Sequence, residues 1–525
     1  MKALSLLLAT AAFATGPTAA AVAQPPSAAP TETAALPSTS TILRNVRGAV
    51  GYARIPTMGP AFTITERDQD GALEELHFGN RRGELRKGDD LVFNGQQAWQ
   101  FDGRRGIFVP SPLRQLEKLA WPLWVRSHWW LNPRNGFLVQ VERDQSNANE
   151  IALALTRSTG IVAATVFINR STWMPERVVV PYERGPFTER YQDYRAVTGV
   201  SFPFAVESTY RNESKRTVAS IKPLASLKTF AKPPLPSDHS FDARQPAALE
   251  TLAGAPFPSG TPGHVYVRAA LDDSHRGWWH LDSGSDSMII DEKVAEQAGM
   301  EVIGTHRSMG ADGNVREGTW RRGKSFMLGR IRIENPVFRA LDLSANNAPP
   351  GERRMGTIGY DLFARAVVEY ADGGRRVRVC NPVSYRLPRG AVWQRLEHID
   401  STPAFKGVAD GLLGLFQIDT GSAGTVDFTK HFHERNAMLR SRPTRTMNTL
   451  GSGGSFTVAV GRLNEFKFAG ETYRNLEVSF RTGGISREGS AGTIGRDILN
   501  RFTMVFDYPN QRLAFLPRAS SGSCN

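Results

Sequence analysis

The pattern of apolar and polar positions predicts that residues 43–231 form an antiparallel β domain. Apolar and polar residues alternate there in short runs separated by turn-forming Asn-Gly, Asp-Gly and Gly-Asn pairs, as in ELHFGNRRGELRKGDDLVFNGQQAWQFDG. Alternation is typical of strands with one buried face, and closely spaced strands with tight turns indicate an antiparallel sheet or an open barrel. One stretch, residues 113–132, departs from this period and has a helical pattern.

That helical stretch is rich in tryptophan, with Trp121, Trp124, Trp129 and Trp130 within ten residues. A curved sheet with a Trp-rich helix loosely resembles the open half-barrel of periplasmic lipoprotein carriers and lipoprotein-sorting proteins. Two interpretations follow. The tryptophans fill the core of the domain, which we favour because large aromatic side chains dominate cores, or they line a groove for a lipid or a peptide.

The N-terminal residues predict export. Residues 1–23 combine a lysine, a short apolar run and a small-residue site, so we expect a signal peptide cleaved before Gln24. Residues 24–42 are rich in Pro, Ala, Ser and Thr and predict a disordered spacer. No later segment is long and apolar enough to cross a bilayer. We therefore expect a protein of the bacterial periplasm or a secreted protein, without a transmembrane span after cleavage.

The second half of the chain carries an internal repeat. A Pro-rich segment, residues 232–261, predicts a linker after the β domain. Beyond it, Asp282-Ser283-Gly284-Ser285 recurs as Asp419-Thr420-Gly421-Ser422, and GTIG at 356–359 recurs at 492–495. Two motifs in the same order at nearly the same offset indicate a duplication. We expect two lobes, 262–380 and 394–517, with a linker at 381–393 and a tail at 518–525.

Each Asp-(Ser/Thr)-Gly triplet follows an apolar strand, where an isolated carboxylate is costly to bury. The paired triplets, each followed by Gly-Thr-Ile-Gly, resemble the half-sites of retropepsin-like aspartic proteases. The resemblance covers residues 262–517, and this chain carries both half-sites in tandem. It implies a catalytic pair, Asp282 and Asp419, that binds one proton, because two carboxylates about 3 Å apart cannot both ionise.

The same resemblance assigns supporting roles around the pair. The Ser283 and Thr420 hydroxyls would each bond to the opposite loop, and Gly284 and Gly421 would allow the sharp turn. A further serine in each loop, a buried segment beneath it and a glycine-rich flap above it complete the expected site. Ser285 and Ser422 would bond the carboxylates, Ile358, Gly359, Ile494 and Gly495 would pack under the loops, and Gly310, Gly313, Gly451, Gly453 and Gly454 would lie in the flaps.

The predicted fold class is therefore mainly β, with an N-terminal antiparallel half-barrel-like domain followed by two tandem retropepsin-like β-barrel lobes related by pseudo-twofold symmetry. The predicted function is peptide-bond hydrolysis by an aspartic endopeptidase, and the expected partner is a peptide or protein substrate. The alternative from another class is a non-catalytic periplasmic protein that binds peptides or lipids in a protease-like cleft. A third, weaker alternative is an envelope scaffold whose Asp-Gly turns are only structural.

Charge and the remaining titratable residues change this picture little. The net charge is +13, but the basic residues are scattered, so we expect a solvated basic surface and peripheral attraction to the anionic envelope, without nucleic-acid binding.

No cofactor is expected. His431 and His433 are spaced to face different ways on a helix, which argues against a metal site. His280 shares a strand face with Asp282, either touching the pair or hydrogen-bonded in the core.

The chain has two cysteines, Cys380 and Cys524, each just beyond the last strand of a repeat. An oxidising compartment permits a disulfide between them. The sequence leaves open whether they are bonded or remain two separate thiols.

Overall fold

The computed structural model describes residues 36–524 except 112, 158–162, 182–184, 211, 254–263, 310–314, 344–353, 452–453 and 484–488. The predicted signal peptide and residues 24–35 of the predicted spacer lie outside the described residues. Strands hold 52% of the described residues and helices 15%, so the prediction of a mainly-β protein is confirmed. No helix within the described ranges is long and apolar enough to span a membrane.

The N-terminal half is built on one antiparallel sheet of 13 strands in the order β6-β5-β4-β3-β2-β1-β13-β12-β11-β10-β9-β8-β7. The turn pairs fall between the strands, as the alternating pattern predicts. The strands are β1 (Ala61–Asp68), β2 (Leu73–Gly79), β3 (Glu84–Lys87), β4 (Leu91–Phe93), β5 (Ala98–Asp102), β6 (Ile107–Pro110), β7 (Phe137–Val141), β8 (Glu150–Arg157), β9 (Ala164–Asn169), β10 (Pro175–Val180), β11 (Phe187–Val197), β12 (Val200–Tyr210) and β13 (Asn212–Leu224).

Two helices accompany this sheet, α1 (Thr39–Ala49) and α2 (Leu113–Arg126). The Ser38 hydroxyl caps α1 by accepting from Thr41 N at 3.2 Å. Helix α1 thus begins inside the segment predicted as a disordered spacer, so that prediction is wrong for its last residues. Ile42 and Val46 of α1 are fully buried, and this apolar face outweighs the polar composition around it.

The tryptophans of the helical stretch are part of the core of this half. Trp121, Trp124 and Trp130 are at most 2% exposed, and they share one apolar cluster with side chains of the sheet. Trp124 Nε1 donates to Gly83 O at 3.1 Å. The interpretation that these residues fill the core is therefore confirmed.

The first half of the repeat lies in an 11-stranded sheet, ordered β14-β22-β21-β16-β17-β24-β18-β23-β20-β19 with β15 paired to β16. Its strands are β14 (His239–Phe241), β15 (Thr251–Ala253), β16 (Val265–Leu271), β17 (His275–Leu281), β18 (Ile289–Asp291), β19 (Glu301–Met309), β20 (Val315–Arg322), β21 (Ser325–Leu328), β22 (Ile331–Glu334), β23 (Val337–Leu341) and β24 (Arg354–Ile358). The predicted linker 232–261 therefore contributes two strands, β14 and β15, to this sheet, and the prediction that it only connects domains is wrong.

The second half lies in an 8-stranded sheet, ordered β28-β29-β30-β35-β31-β34-β33-β32. In the first half β17 runs parallel to β24, which is antiparallel to β18; in the second, β30 and β31 pair with β35 in the same two senses. The strands are β28 (Glu397–Ile399), β29 (Thr402–Ala409), β30 (Leu412–Ile418), β31 (Val426–Phe428), β32 (Arg445–Gly451), β33 (Gly454–Phe468), β34 (Glu471–Arg481) and β35 (Gly492–Ile494).

The last strands of both halves form one shared sheet of five strands, ordered β26-β25-β36-β37-β27. It consists of β25 (Val367–Ala371), β26 (Arg376–Cys380), β27 (Gln394–Arg395), β36 (Phe502–Asp507) and β37 (Arg512–Pro517). Cys380 and Cys524 form a disulfide beside it, with a Cα–Cα distance of 5.4 Å. The short helices α3 (Glu292–Gln297), α4 (Tyr360–Phe363), α5 (Lys430–Arg435) and α6 (Arg496–Leu499) complete this half of the chain.

Candidate active site

The two predicted aspartates occupy equivalent places at strand ends. Asp282 follows β17, and its backbone N donates to Ile358 O at 3.0 Å; Asp419 follows β30, and its backbone N donates to Ile494 O at 3.3 Å. In each case the apolar strand ends where the chain must turn over the buried isoleucine of the Gly-Thr-Ile-Gly segment, and both isoleucines are fully buried. Ile358 and Ile494 therefore lie buried where each loop begins.

Four cross-bonds join the two loops. Ser283 N donates to Thr420 Oγ1 at 2.9 Å and Thr420 N donates to Ser283 Oγ at 3.0 Å. Each hydroxyl in turn donates to a carbonyl of the other loop, Ser283 Oγ to Ile418 O at 2.8 Å and Thr420 Oγ1 to Leu281 O at 3.3 Å. Ser283 and Thr420 are 1% exposed. Both hydroxyls therefore bond across to the opposite loop, and reciprocal bonds away from water fix one loop relative to the other.

The glycines of the triplets make the close approach of the carboxyl groups sterically possible. A Cβ at Gly284 would lie 2.5 Å from Asp419 Cγ, and a Cβ at Gly421 would lie 2.7 Å from Asp282 Cγ. Any other residue would therefore force the opposite carboxylate away. Gly284 N and Gly421 N each donate to the carboxylate of their own loop at 2.8 Å.

Each carboxyl group lies against the glycine of the opposite loop, so Asp282 and Asp419 act electrostatically on each other. The Asp282 side chain is 20% exposed. Its burial, and then the neighbouring Asp419 carboxyl, raise the pKa of Asp282 above the usual range of an aspartic acid. The pair therefore holds a proton at pH values where an isolated aspartate is ionised, and one member can donate a hydrogen bond while the other accepts a proton.

The second serine of each loop has a different role from the predicted one. Ser285 Oγ donates to Ser287 O at 2.8 Å, and Ser422 Oγ donates to Ala423 O at 3.3 Å. Both hydroxyls bond within their own loop and not to the carboxylates, because each loop turns sharply after its glycine. The backbone amides of the glycines supply the bonds that the sequence assigned to these serines.

Two further glycines pack against the loops. A Cβ at Gly359 would lie 2.6 Å from Ser285 O, and a Cβ at Gly495 would lie 2.6 Å from Ala423 O. The Gly-Thr-Ile-Gly segments therefore lie in backbone contact with the loops, and a larger side chain at either position would push the loop outward.

The predicted flaps coincide with long hairpins. Strands β19 and β20 pair from Glu301↔Arg322 to Met309↔Val315, and β32 and β33 pair from Arg445↔Val460 to Gly451↔Gly454. Gly451 and Gly454 close the second ladder. Gly310, Gly313 and Gly453 lie outside the described residues, so the role of the tips stays a prediction.

A histidine pair borders the aspartates on one side. His280 Nδ1 is 4.0 Å from Asp282 Oδ2, and the centroid of the His280 ring lies 4.2 Å from that of His264, with the ring planes tilted by 37°. Arg354 Nη2 lies 3.4 Å from His280 Nδ1. Burial, and then the charge of His264, lower the pKa of His280, so this ring is neutral beside the pair. His280 therefore borders the site, although the His280 Nε2 atom has no hydrogen-bond partner among the described residues.

Sequence reasoning missed several residues around the pair. His264 Nε2 lies 3.1 Å from Gly421 O, and the buried Tyr508 is influenced electrostatically by both aspartates. Arg496 is 1% exposed and acts electrostatically on His264 and His280. The only local signal for Arg496 was its position directly after the Gly-Thr-Ile-Gly segment, in GTIGRDIL. His264 and Tyr508 carried no local signal, because they reach the site through strand pairing.

No group of three or more His, Cys, Asp or Glu side chains suited to a metal occurs in the part of the chain that the structure describes. His433 is buried and its Nε2 lies 2.9 Å from Arg481 O, whereas His431 of the same helix is exposed. The two histidines of α5 therefore face different surroundings.

Comparison with known proteins supports part of this interpretation. A family model described as "Aspartyl protease" matches residues 267–362, which include the first triplet and the first Gly-Thr-Ile-Gly segment. This region is aspartyl-protease-like. A LolA superfamily protein from Nitrosomonas europaea is 18% identical with a TM-score of 0.26, and the match covers 36% of this chain and 97% of that one. No curated protein matches the chain.

Proposed function

We propose that this chain is an exported aspartic endopeptidase whose catalytic pair is Asp282 and Asp419. The observation that supports this most directly is the interlocked loop pair, in which each triplet glycine leaves room for the carboxyl group of the opposite loop. A turn that was only structural would need neither this mutual approach nor a shared proton. The aspartyl-protease-like match to residues 267–362 agrees with the proposal.

In the proposed reaction the pair holds one proton and one water between its carboxyl groups. The ionised carboxylate removes a proton from that water as it attacks the peptide carbonyl carbon, and the protonated carboxyl hydrogen-bonds to the carbonyl oxygen. The tetrahedral intermediate then collapses as its nitrogen is protonated, and the C–N bond breaks. The loop cross-bonds keep both carboxyl groups in the geometry that these proton transfers need.

Exchange of each aspartate for asparagine tests the proposal. Purified residues 24–525 should cleave an unfolded protein or a peptide mixture, and Asp282→Asn and Asp419→Asn should each abolish cleavage while the protein stays folded. Asp497→Asn is the matched control, because Asp497 is an exposed aspartate close to the second loop. Cleavage by both variants at the rate of the parent would disprove the assignment.

The same experiment separates catalysis from binding. A parent protein that retains peptides but does not cleave them would support the non-catalytic alternative, in which the cleft only binds. Such a protein would retain peptides as well after either exchange as before, since the shared proton would then have no chemical role.

Export to the periplasm or beyond, and a peripheral association with the envelope, are further parts of the proposal. The signal-like residues 1–23 support export, and the net charge of +13 supports attraction to anionic lipid. The mature protein should begin at Gln24 by N-terminal sequencing. Binding to anionic lipid vesicles should decline with added salt; binding that ignores salt would contradict an electrostatic association.

A further inference from the structure

The N-terminal sheet contacts the proposed protease region through the hairpin of β5 and β6 and through the turn that precedes β5. Ile107 at the start of β6 is 4% exposed and belongs to the same apolar cluster as the strands of both repeat halves. Gln97 Nε2 donates to Leu396 O at 3.0 Å, and Arg395 Nη2 donates to Gln96 O at 3.0 Å. The hairpin is therefore packed onto the other half of the chain and does not stand apart from it.

Arg105, in the turn of this hairpin, reaches the segment that follows the first triplet. Its Nε donates to Asp102 Oδ2 at 2.9 Å, which fixes the guanidinium within its own hairpin. Its Nη1 donates to Asp286 O at 3.1 Å and to Asp361 Oδ2 at 3.2 Å. The side chains of Arg105 and Asp361 are 8% and 7% exposed. The sequence interpretation of the arginines as surface charges is therefore wrong for Arg105.

Asp361 connects this contact to the first loop. Asp361 Oδ2 also accepts from Met288 N at 2.9 Å, at the end of the loop that begins with Asp282. The adjoining Tyr360 N donates to Ser285 O at 3.0 Å. Arg105 and Asp361 thus bond to the loop at Ser285, Asp286 and Met288, directly or through the adjoining residue.

A second arginine near Asp361, Arg365, forms its ion pair with the carboxylate of Asp238. Arg365 donates to both carboxylate oxygens of Asp238 at 2.8 and 2.6 Å, and it meets Asp361 through the backbone carbonyl. Its Nη1 is 4.0 Å from Asp361 Oδ1. Removing Arg105 would therefore leave a buried carboxylate without its closest cation, which is costly enough to make the carboxylate move.

The second repeat offers a natural contrast. Asp497 corresponds to Asp361 in the repeat alignment, but its side chain is exposed. The arginine contact therefore belongs to one half of the pseudo-symmetric site. Arg105 comes from the N-terminal sheet and contacts only the first loop. The duplication of the two halves therefore does not explain this contact.

We propose that Arg105 is a positioning residue that holds the loop of Asp282 in its productive geometry, so that the N-terminal sheet is a working part of the proposed protease. This inference rests on the proposed function. A displacement of one catalytic group by about 1 Å lowers rates by roughly a hundredfold. We therefore expect Arg105→Ala to lower kcat by about tenfold to a hundredfold with little change in KM.

The test compares Arg105→Ala, Arg105→Lys and Arg104→Ala in the full mature chain. Arg104 is the exposed neighbour in the same turn and serves as the control. Arg105→Lys keeps the charge and one donor, so kcat should recover in part. A purely structural contact would lower stability without changing kcat of the folded fraction, so kcat is measured on protein whose circular dichroism matches that of the parent.

A second readout does not depend on activity. Amide exchange at Met288 should be faster in Arg105→Ala than in Arg104→Ala, because its acceptor Asp361 loses its cation. Parent-like kcat and parent-like Met288 exchange in Arg105→Ala would overturn the inference, and so would a change in KM alone. If the parent does not cleave at all, the proposed function fails, and the exchange comparison still decides whether Arg105 holds the loop. If Arg105→Ala does not fold, Arg105→Lys decides by the same two measurements.

Discussion

Exchange of Thr420 for valine tests whether the cross-bonds hold the two loops together. Valine keeps the shape of threonine but removes the oxygen that accepts from Ser283 N at 2.9 Å and donates to Leu281 O at 3.3 Å. The Ser283 amide is buried and would lose its acceptor, and an unsatisfied buried polar group costs about 1–3 kcal/mol. The Leu281 carbonyl has a second lone pair, so its loss is smaller.

The expected destabilisation of the protease region is therefore about 2–4 kcal/mol. Urea unfolding of Thr420→Val should show a lower midpoint than the parent, with cleavage of a peptide substrate reduced as the dyad geometry loosens. The matched control is Thr472→Val, a threonine exposed on β34, for which we expect a change within about 0.5 kcal/mol.

A double-mutant cycle with Ser283→Ala extends the test, because the two hydroxyls share one network and their effects should be non-additive. A Thr420→Val protein with the urea midpoint and the activity of the control would refute the reasoning that these bonds position the loops.

Three further predictions follow from the same site and from the disulfide. The folded pair holds its proton more tightly than the unfolded chain does. Cleavage and this contribution to stability should therefore both be present at acidic pH, and both should be lost as the pH rises through the raised pKa of Asp282. Activity that increases steadily towards alkaline pH would contradict a shared proton. Gly284→Ala should abolish cleavage, because its Cβ would lie 2.5 Å from Asp419 Cγ, whereas Gly483→Ala should be neutral, because nothing lies within 4 Å of its Cβ; a peptide-cleavage assay of both decides. Replacing Cys380 and Cys524 by serine should lower the free energy of unfolding by about 2–4 kcal/mol, since the bond closes a loop of 144 residues, and equal urea midpoints would argue against the bond.

Much of the fold was predictable because local patterns report burial. Alternation with period two and the turn pairs gave the antiparallel strands of residues 61–224, and the Trp-rich stretch gave α2. The composition of a segment gave wrong predictions where a few buried apolar residues outweighed its many polar and small ones. Ile42 and Val46 bury one face of α1 within a segment of polar and small residues, and the Pro-rich linker pairs two short strands with the neighbouring sheet.

The pairing of the final strands of the two halves in one sheet could also not be predicted from local sequence patterns. Val367 of β25 pairs with Asp507 of β36, so the ends of the two repeats form one sheet. The sequence shows that both segments are apolar strands. It does not show which strand lies beside which, because backbone pairing carries little side-chain information.

The amino-acid sequence alone determined the mainly-β class, the two matched triplets and the residue types of the candidate pair, because each depends on neighbours within a few positions. Only the tertiary structure decided that the loops of Asp282 and Asp419 interlock, that Ser285 and Ser422 bond within their own loops, and that Arg105 reaches the first loop from another sheet. Those outcomes depend on contacts between residues more than a hundred positions apart, and such contacts exist only once the sheets have packed and excluded water.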